Sequence, residues 1–446
     1  MLVFLCSPLD VPLSLPRPAI EEQTAAPMLA ALAFFFLMTS YYIIRPLRDQ
    51  ISGVTGSQAL PLFYLAVLVA VLLLTPLFGW LMARFPRRQL LGWSYGFFTV
   101  CLLAFVPAFM QQQRIGAREL GAVFFAWVSV FNLFAVSLFW SFLADIFSSG
   151  QARRTFSLIA LAGMGGAIFG PLLESVLLPL IGVASLLIVS AIALVLTMIL
   201  LLSLSADDLR PGSRSGEAIG GSIWAGIKQL WSRPFLRYMA LLMLFGDGIG
   251  TLAYALVADY VKAHMTTEVA RTSFYNDLNL ATNLLGAALQ LTMTRWLLIR
   301  RGAAWGLLLP AVVNVALLAG VALVGGGPLL LFGCSVPVLA AMLAVSRGFA
   351  YGMTKPATDA LYTRVPRETR YKGKNFVETA VWRFGDLLVT TAVTELRALG
   401  WGVSGMAMLG AGVAALAAIV ARRAGWSTEL APEELAAGRS DHAPSD

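Results

Sequence analysis

The chain has 446 residues, 58 % of them hydrophobic and only 13 % charged, whereas soluble domains carry roughly 45–50 % apolar and about 25 % charged residues. That balance excludes a soluble globular protein, and it excludes reading the +8 net charge as a nucleic-acid footprint, because polytopic membrane proteins keep their excess Lys and Arg in cytoplasmic loops. Three scattered cysteines (Cys6, Cys101, Cys334) and two histidines (His264, His442) outside the apolar runs imply neither a disulfide framework nor a metal cluster. No metal and no cofactor is expected.

Residues 1–24 hold four prolines and no basic n-region. They read as a disordered lead-in, not a signal peptide. Apolar segments near the ~20 residues needed to cross a bilayer then fall at Ala25–Ile44, Ala59–Ala83, Gln89–Met110, Leu120–Phe147, Phe156–Val176 and Ile181–Leu204. A polar interval, residues 205–237, separates them from a second set. In it Ile219, Ile223, Trp224, Ile227, Leu230 and Trp231 recur at helical spacing, which predicts an amphipathic helix on the membrane surface. The second set lies at Tyr238–Val261, Phe274–Leu297, Ala303–Val324, Leu329–Phe349, Phe376–Leu396 and Trp401–Val420. Residues 423–446 read as a disordered tail.

The expected architecture is an all-α protein of twelve spans, as two six-helix bundles over residues 25–204 and 238–422. With the N-terminus inside, cytoplasmic segments hold 23 of the 32 Lys and Arg and the opposite segments seven, while Arg347 and Arg383 fall inside spans. That bias puts both termini in the cytoplasm.

Most intramembrane polar residues carry a cost in hydrocarbon and so mark a cavity, a partner or a relay. At 1.5 Å per residue, Asp247 lies about 15 Å into the seventh span, and Arg383 and Asp386 about 12 and 16 Å into the eleventh. Asn132 is at similar depth in the fourth span. Thr379, Arg383, Asp386 and Thr390 share one helical face, as do Asn276, Asn279 and Asn283 in the eighth span. Behind the first span, YYIIRPLRDQ places Tyr41, Arg45 and Arg48 on one face with Asp49 four residues after Arg45. Arginines one turn from aromatic rings suit an anionic ligand with rings, and they also suit a snorkelling interface anchor. Tyr41, Arg45, Arg48, Asn132, Asp247, Asn279, Asn283, Arg383 and Asp386 are the candidate substrate-binding set. Asp49, Arg84, Asp145, Arg347 and Glu378 are candidates for gating or structural salt bridges.

GWLMARFPRR (Gly79 to Arg88) resembles the loop motif of the major facilitator superfamily at Gly79, Arg84, Arg87 and Arg88, with Ala83 and Pro86 in place of its Asp and Gly. GGAIFGPLLE (Gly165 to Glu174) resembles the glycine-proline motif in the fifth helix of exchangers of that superfamily, without its trailing glycines. Gly166 and Gly170 would equally serve close helix packing. YYIIRPLRD, FNLFAVSLFWSFLADIFSSGQARRTF and KPATDALYTRVPRETRYKGKNF together resemble the ATP/ADP-translocase-type nucleotide exchangers, and still more closely their uncharacterised bacterial relatives.

These resemblances imply a monomeric secondary transporter of the bacterial inner membrane, working by alternating access, whose small-molecule cargo is a nucleotide or another anionic or phosphorylated metabolite. Basic residues in the first and later helices hold phosphates in those exchangers, and Arg45, Arg48 and Arg383 stand in comparable places. Two alternatives stay open: a proton-coupled carrier of a neutral or cationic solute, and a non-transporting scaffold or sensor. There is no Gly-Lys-Ser/Thr phosphate loop, zinc-type cluster or nucleophile with a histidine base, so no enzyme is expected.

Overall fold

The computed structural model describes residues 22–147, 149–204, 230–331, 334–366 and 373–430. The first half contains α1 (Glu22–Thr55), α2 (Leu60–Arg84), α3 (Arg87–Met110) and α4 (Ala117–Ile146). One run, Ser149–Ser203, follows. It is bent where Gly182 takes φ 75°, which gives two arms, α5 (149–181) and α6 (183–203). That left-handed backbone suits glycine, which has no Cβ to clash.

The second half contains α7 (Pro234–His264), α8 (Glu268–Leu289), α9 (Ala303–Val324), α10 (Val338–Phe349), α11 (Trp382–Ala398) and α12 (Val403–Gly425). Three of these carry a π-helical turn. α8 passes through Gln290–Thr294 into Arg295–Arg301, α10 passes through Ala350–Thr354 into Lys355–Thr363, and Val377–Val381 leads into α11. Such turns insert an extra residue and cluster at functional sites. Among the described residues eight helical segments are long and apolar enough to cross a membrane, and one of them, Thr155–Ser203, has 49 residues and contains the Gly182 bend. α8, α10 and α11 are not among the eight. α10 and α11 are too short as unbroken helices, with 12 and 17 residues, and α8 carries Asp277 and a row of asparagines; a π turn adjoins each of the three.

Outward-facing apolar side chains such as Leu73, Phe97, Ile192, Ile299 and Leu323 are exposed, as lipid contact requires. Inside the first half, Phe63, Tyr95, Phe124, Phe131 and Phe139 are fully buried. α1 packs tightly on α5 because a Cβ at Gly166 would run into the Phe35 carbonyl, so the helices approach there at backbone distance.

The structure corrects several sequence expectations. α1 does not stop at Ile44 but runs to Thr55, so Arg45, Arg48 and Asp49 are helical. The tenth span is displaced: residues read as its start form a short antiparallel hairpin, Pro328–Leu331 with Cys334–Pro337, and the helix begins at Val338. Apolar LLL suits a strand as well as a helix, and prolines bracket the hairpin. Arg347 lies within α10. The chain beyond residue 422 is packed as far as Leu430: Trp426 meets Trp305 edge-on at 6.1 Å, and Glu429 accepts from the Phe235 amide at the start of α7. Most of the expected surface helix (205–229) and nearly all of the expected lead-in lie outside the described residues.

Candidate functional site

The start of α1, the end of α12 and the α2–α3 turn lie on one side, here the terminal side, and the α1–α2 and α7–α8 turns lie on the opposite side. On the opposite side the end of α1 meets the end of α7. Asp259 accepts from the Ser57 amide at 2.7 Å and from its hydroxyl at 2.9 Å, and it pairs with Arg397 at 3.0 Å. Lys262 donates to the Thr55 carbonyl at 2.9 Å. One turn deeper, the Tyr254 hydroxyl donates to Asp49 and contacts the Ser52 hydroxyl, each at 2.9 Å. A recess of about 530 Å³ lined by Ser57, Asp259, Lys262 and Arg397 lies above this seal.

A second seam joins α5 to α8. Asn276 donates to the Pro171 carbonyl at 2.9 Å and to the Ser175 hydroxyl at 2.8 Å, and Asn283 donates to the Ala167 carbonyl at 2.6 Å. Among the described residues, two sets of ion pairs at the terminal-side ends instead stay within one half. Arg87 pairs with Asp145, and Lys355, Asp359, Lys374 and Glu378 form a cluster of their own.

Between seal and terminal side, Arg45 is only 5 % exposed. Its guanidinium faces the Tyr42 ring at 5.5 Å and the Tyr351 ring at 6.0 Å, and reaches the Tyr351 hydroxyl at 3.4 Å. Its Nε has no hydrogen-bond partner, and among the described residues it has no carboxylate within ion-pair distance. Tyr351 is 41 % exposed, so the space beside the cation is not filled by side chains. Arg347 lies over the Tyr254 ring at 5.0 Å. On α7 and α11, Asp386 accepts from Thr251 at 2.6 Å and pairs with Arg383 at 3.3 Å. Asp247 stands one helical turn before Thr251 on α7, on the side of α7 that binds Asp386.

The sequence model of the Major Facilitator Superfamily matches residues 28–385. The chain belongs to the major facilitator superfamily. No curated protein matches it. As an MFS protein it resembles the solved nucleoside transporter NupG (14 % identity, TM-score 0.65, covering 90 % of this chain and 98 % of that one). It also resembles a D-xylose–proton symporter (12 %, 0.62, 92 % and 98 %). A third is a bacterial homologue of the iron transporter ferroportin in an inward-facing state (17 %, 0.61, 92 % and 100 %). At these identities the likeness carries the twelve-helix fold and not the cargo. The MFS chain is thus a multi-pass membrane transporter of a small molecule, not an enzyme.

Within this MFS fold some candidates come together and others do not. Arg45 lies at the interface of the halves, with Tyr41 half-buried and edge-on to Tyr42 at 5.2 Å. The expected Arg45–Asp49 pairing is replaced: Asp49 takes Arg48, at 2.7 Å, whose guanidinium also lies 4.6 Å from the Phe125 ring. Asp247, Arg383 and Asp386 form one group. Asn132 is half-buried on α4 and joins none of these groups. Asn279 donates to the Tyr275 carbonyl of its own helix and Asn283 to the Ala167 carbonyl of the seam, so each amide commits one of its two N–H donors within the protein. Arg84 is exposed beside the Trp80 ring at 5.7 Å, and Arg87 takes the Asp145 carboxylate instead, because it opens α3 beside the end of α4. Glu378 binds Lys355 at 2.6 Å.

Sequence reasoning missed Asp259, Tyr254, Ser57 and Tyr351. Asp259 and Lys262 in ALVADYVKAH sit at the end of an apolar run and looked like ordinary interface residues. Their partners in the other half have no sequence signal.

Proposed function

We propose that this MFS protein is an exchanger of anionic small molecules in the bacterial inner membrane, with both termini cytoplasmic and nucleotides or other phosphorylated metabolites as its leading cargo. The observation that carries the proposal is Arg45, a buried guanidinium between two tyrosine rings with no carboxylate in ion-pair contact among the described residues. An isolated charge is costly to bury, and an anionic group on the cargo would pay that cost while the rings receive an apolar or aromatic body. The resemblance of YYIIRPLRD to nucleotide exchangers supports the same assignment. The sealed opposite side supports an inward-facing state of an alternating-access cycle.

One observation favours a second reading. Asp247, one turn from the Thr251 that binds Asp386, brings a second carboxyl to the α7–α11 contact, and neighbouring acids are the arrangement a shared proton needs. This suits a proton-coupled carrier. Thermal unfolding of the purified protein with a panel of nucleotides, sugar phosphates, sugars and amino acids separates the readings, since a ligand that binds the folded state raises its stability by about 2.7 kcal/mol at a hundredfold excess over Kd. Exchange of anions predicts stabilisation by phosphorylated compounds that Arg45→Ala loses. Stabilisation by uncharged solutes alone would reject it.

A further inference from the structure

Glu174 takes no part in the groups described so far. It lies on α5, is fully buried, and neither carboxyl oxygen has a hydrogen-bond partner. Gly166, Gly170 and Glu174 follow one another at four-residue spacing on the α5 face that packs on α1. A Cβ at Gly170 would meet the Thr39 carbonyl at 3.0 Å and the Tyr42 Cβ at 3.1 Å, so Glu174 stands one turn further towards the opposite side. Pro46 on α1 offers no amide hydrogen to the Tyr42 carbonyl, which leaves an acceptor on α1 in that region. The flanking residues Pro171 and Ser175 are the ones Asn276 of α8 binds, and the Asn276 side-chain oxygen is itself buried without a partner. Glu174 thus sits where α1, α5 and α8 join, inside the seam that must part if the opposite side opens.

The charged groups that bear on Glu174 are Asp277 on α8 and Asp49 on α1, both acidic, and no cation among the described residues does so. Asp49 is already held by Arg48 and Tyr254, and Asp277 is exposed. Glu174 is therefore the acid whose surroundings change most when α8 leaves α5.

We propose that Glu174 is a proton-binding latch of the opposite-side seam. In the sealed state it is the neutral acid, because a carboxylate with no donor and only acidic neighbours cannot be buried. Parting of α5 from α8 admits water, and the carboxylic acid releases its proton to the opposite side. Resealing requires a proton taken back from that same side. The proton does not cross the membrane, so the latch sets how readily the seam closes and adds no driving force. This rests on the alternating-access reading, but its test needs no cargo.

Sign follows from linkage. The sealed state holds one more proton than the open one, so acid favours sealing, with the open-to-sealed ratio rising up to about tenfold per pH unit where the open-state group is ionised. Two readouts test it on the reconstituted full chain. The first is modification of the unaltered protein by a membrane-permeant carbodiimide, which reacts with carboxylic acids, with the adduct located by peptide mapping. An adduct at Glu174 is expected, and no adduct at any pH between about 5 and 8 overturns the latch. The second is labelling of Ser52→Cys, beneath the seal, by an impermeant maleimide added on the opposite side. Its rate, divided at each pH by that of a freely exposed cysteine in the same vesicles so that thiolate ionisation cancels, should rise with opposite-side pH and lose that dependence in Glu174→Gln. Persistence of the same pH dependence in Glu174→Gln overturns the latch. Failure of every anion to bind or exchange, with both readouts as expected, would reject the cargo assignment and leave the latch standing.

Discussion

The Arg45 guanidinium on α1 lies 3.4 Å from the Tyr351 hydroxyl on α10, so a cation of the first half and a phenol of the second meet at the interface between them. At that length the bond is weak. The arginine is held mainly by ring faces, which leaves its hydrogen-bonding fork free for an acceptor that neither helix supplies.

Cargo affinity should therefore follow Arg45 far more than Tyr351. A hydrogen bond to a charged group contributes about 1.5–3 kcal/mol, so Arg45→Ala should weaken binding roughly 10- to 150-fold. Arg45→Lys keeps the charge but not the planar fork and should fall between. Tyr351→Phe should cost less than about threefold, since it removes one long bond and keeps the ring. Titrations of whichever panel compound binds, on variants matched for thermal stability, check the order.

Opening of the opposite side should respond unequally to two seal residues. Arg397 makes a part-exposed ion pair with Asp259, worth about 0.2–1 kcal/mol, so Arg397→Ala should raise labelling of Ser52→Cys only a few-fold. Asp259 also holds the Ser57 amide and hydroxyl, and Asp259→Ala should raise it by about tenfold or more. Equal effects would mean that the ion pair alone makes the seal.

Arg383 and Asp386 should behave as a coupled buried pair. Asp386 is 4 % exposed, and removing its cation leaves an uncompensated charge at a cost of about 3–5 kcal/mol. Arg383→Ala should lower the unfolding temperature, and Asp386→Asn in the same chain should restore much of it. Additive losses in a double-mutant cycle would show that the two do not interact.

Close packing of α1 on α5 gives a control remote from any charge. Gly166→Ala drives a methyl group against the Phe35 carbonyl and should destabilise by about 1–3 kcal/mol. Gly79→Ala, with open space around it, should be nearly neutral. Melting temperatures of the two variants decide this.

The sequence displayed the twelve-span plan because lipid-facing helices must be apolar over about twenty residues, as in α2, α3 and α9. It failed at α10, where a hairpin and a helix start are equally apolar and only Pro337 marks the boundary. Individual site residues were visible: Asp247, Arg383 and Asp386 as charges at membrane depth, and Arg45 as an arginine directly behind an apolar run. Their partners were not. Asp49 chose its neighbour Arg48 over Arg45, and Asp386 found Thr251 on another helix, because pairing between helices depends on rotation and depth that no spacing within one helix encodes. Asn283 looked like a cargo ligand for the same reason, and it donates to a carbonyl of α5.

Counterflow in proteoliposomes tests the central claim most directly. Vesicles carrying the protein and preloaded with one phosphorylated compound, treated with a protonophore, receive traces of labelled compounds from the same panel. Exchange at Arg45 predicts rapid uptake of a labelled anion that requires the internal compound, survives the protonophore and is lost in Arg45→Ala. Uptake into empty vesicles, driven by an imposed pH gradient, indifferent to Arg45→Ala and abolished by Asp247→Asn, would contradict it and establish proton symport instead.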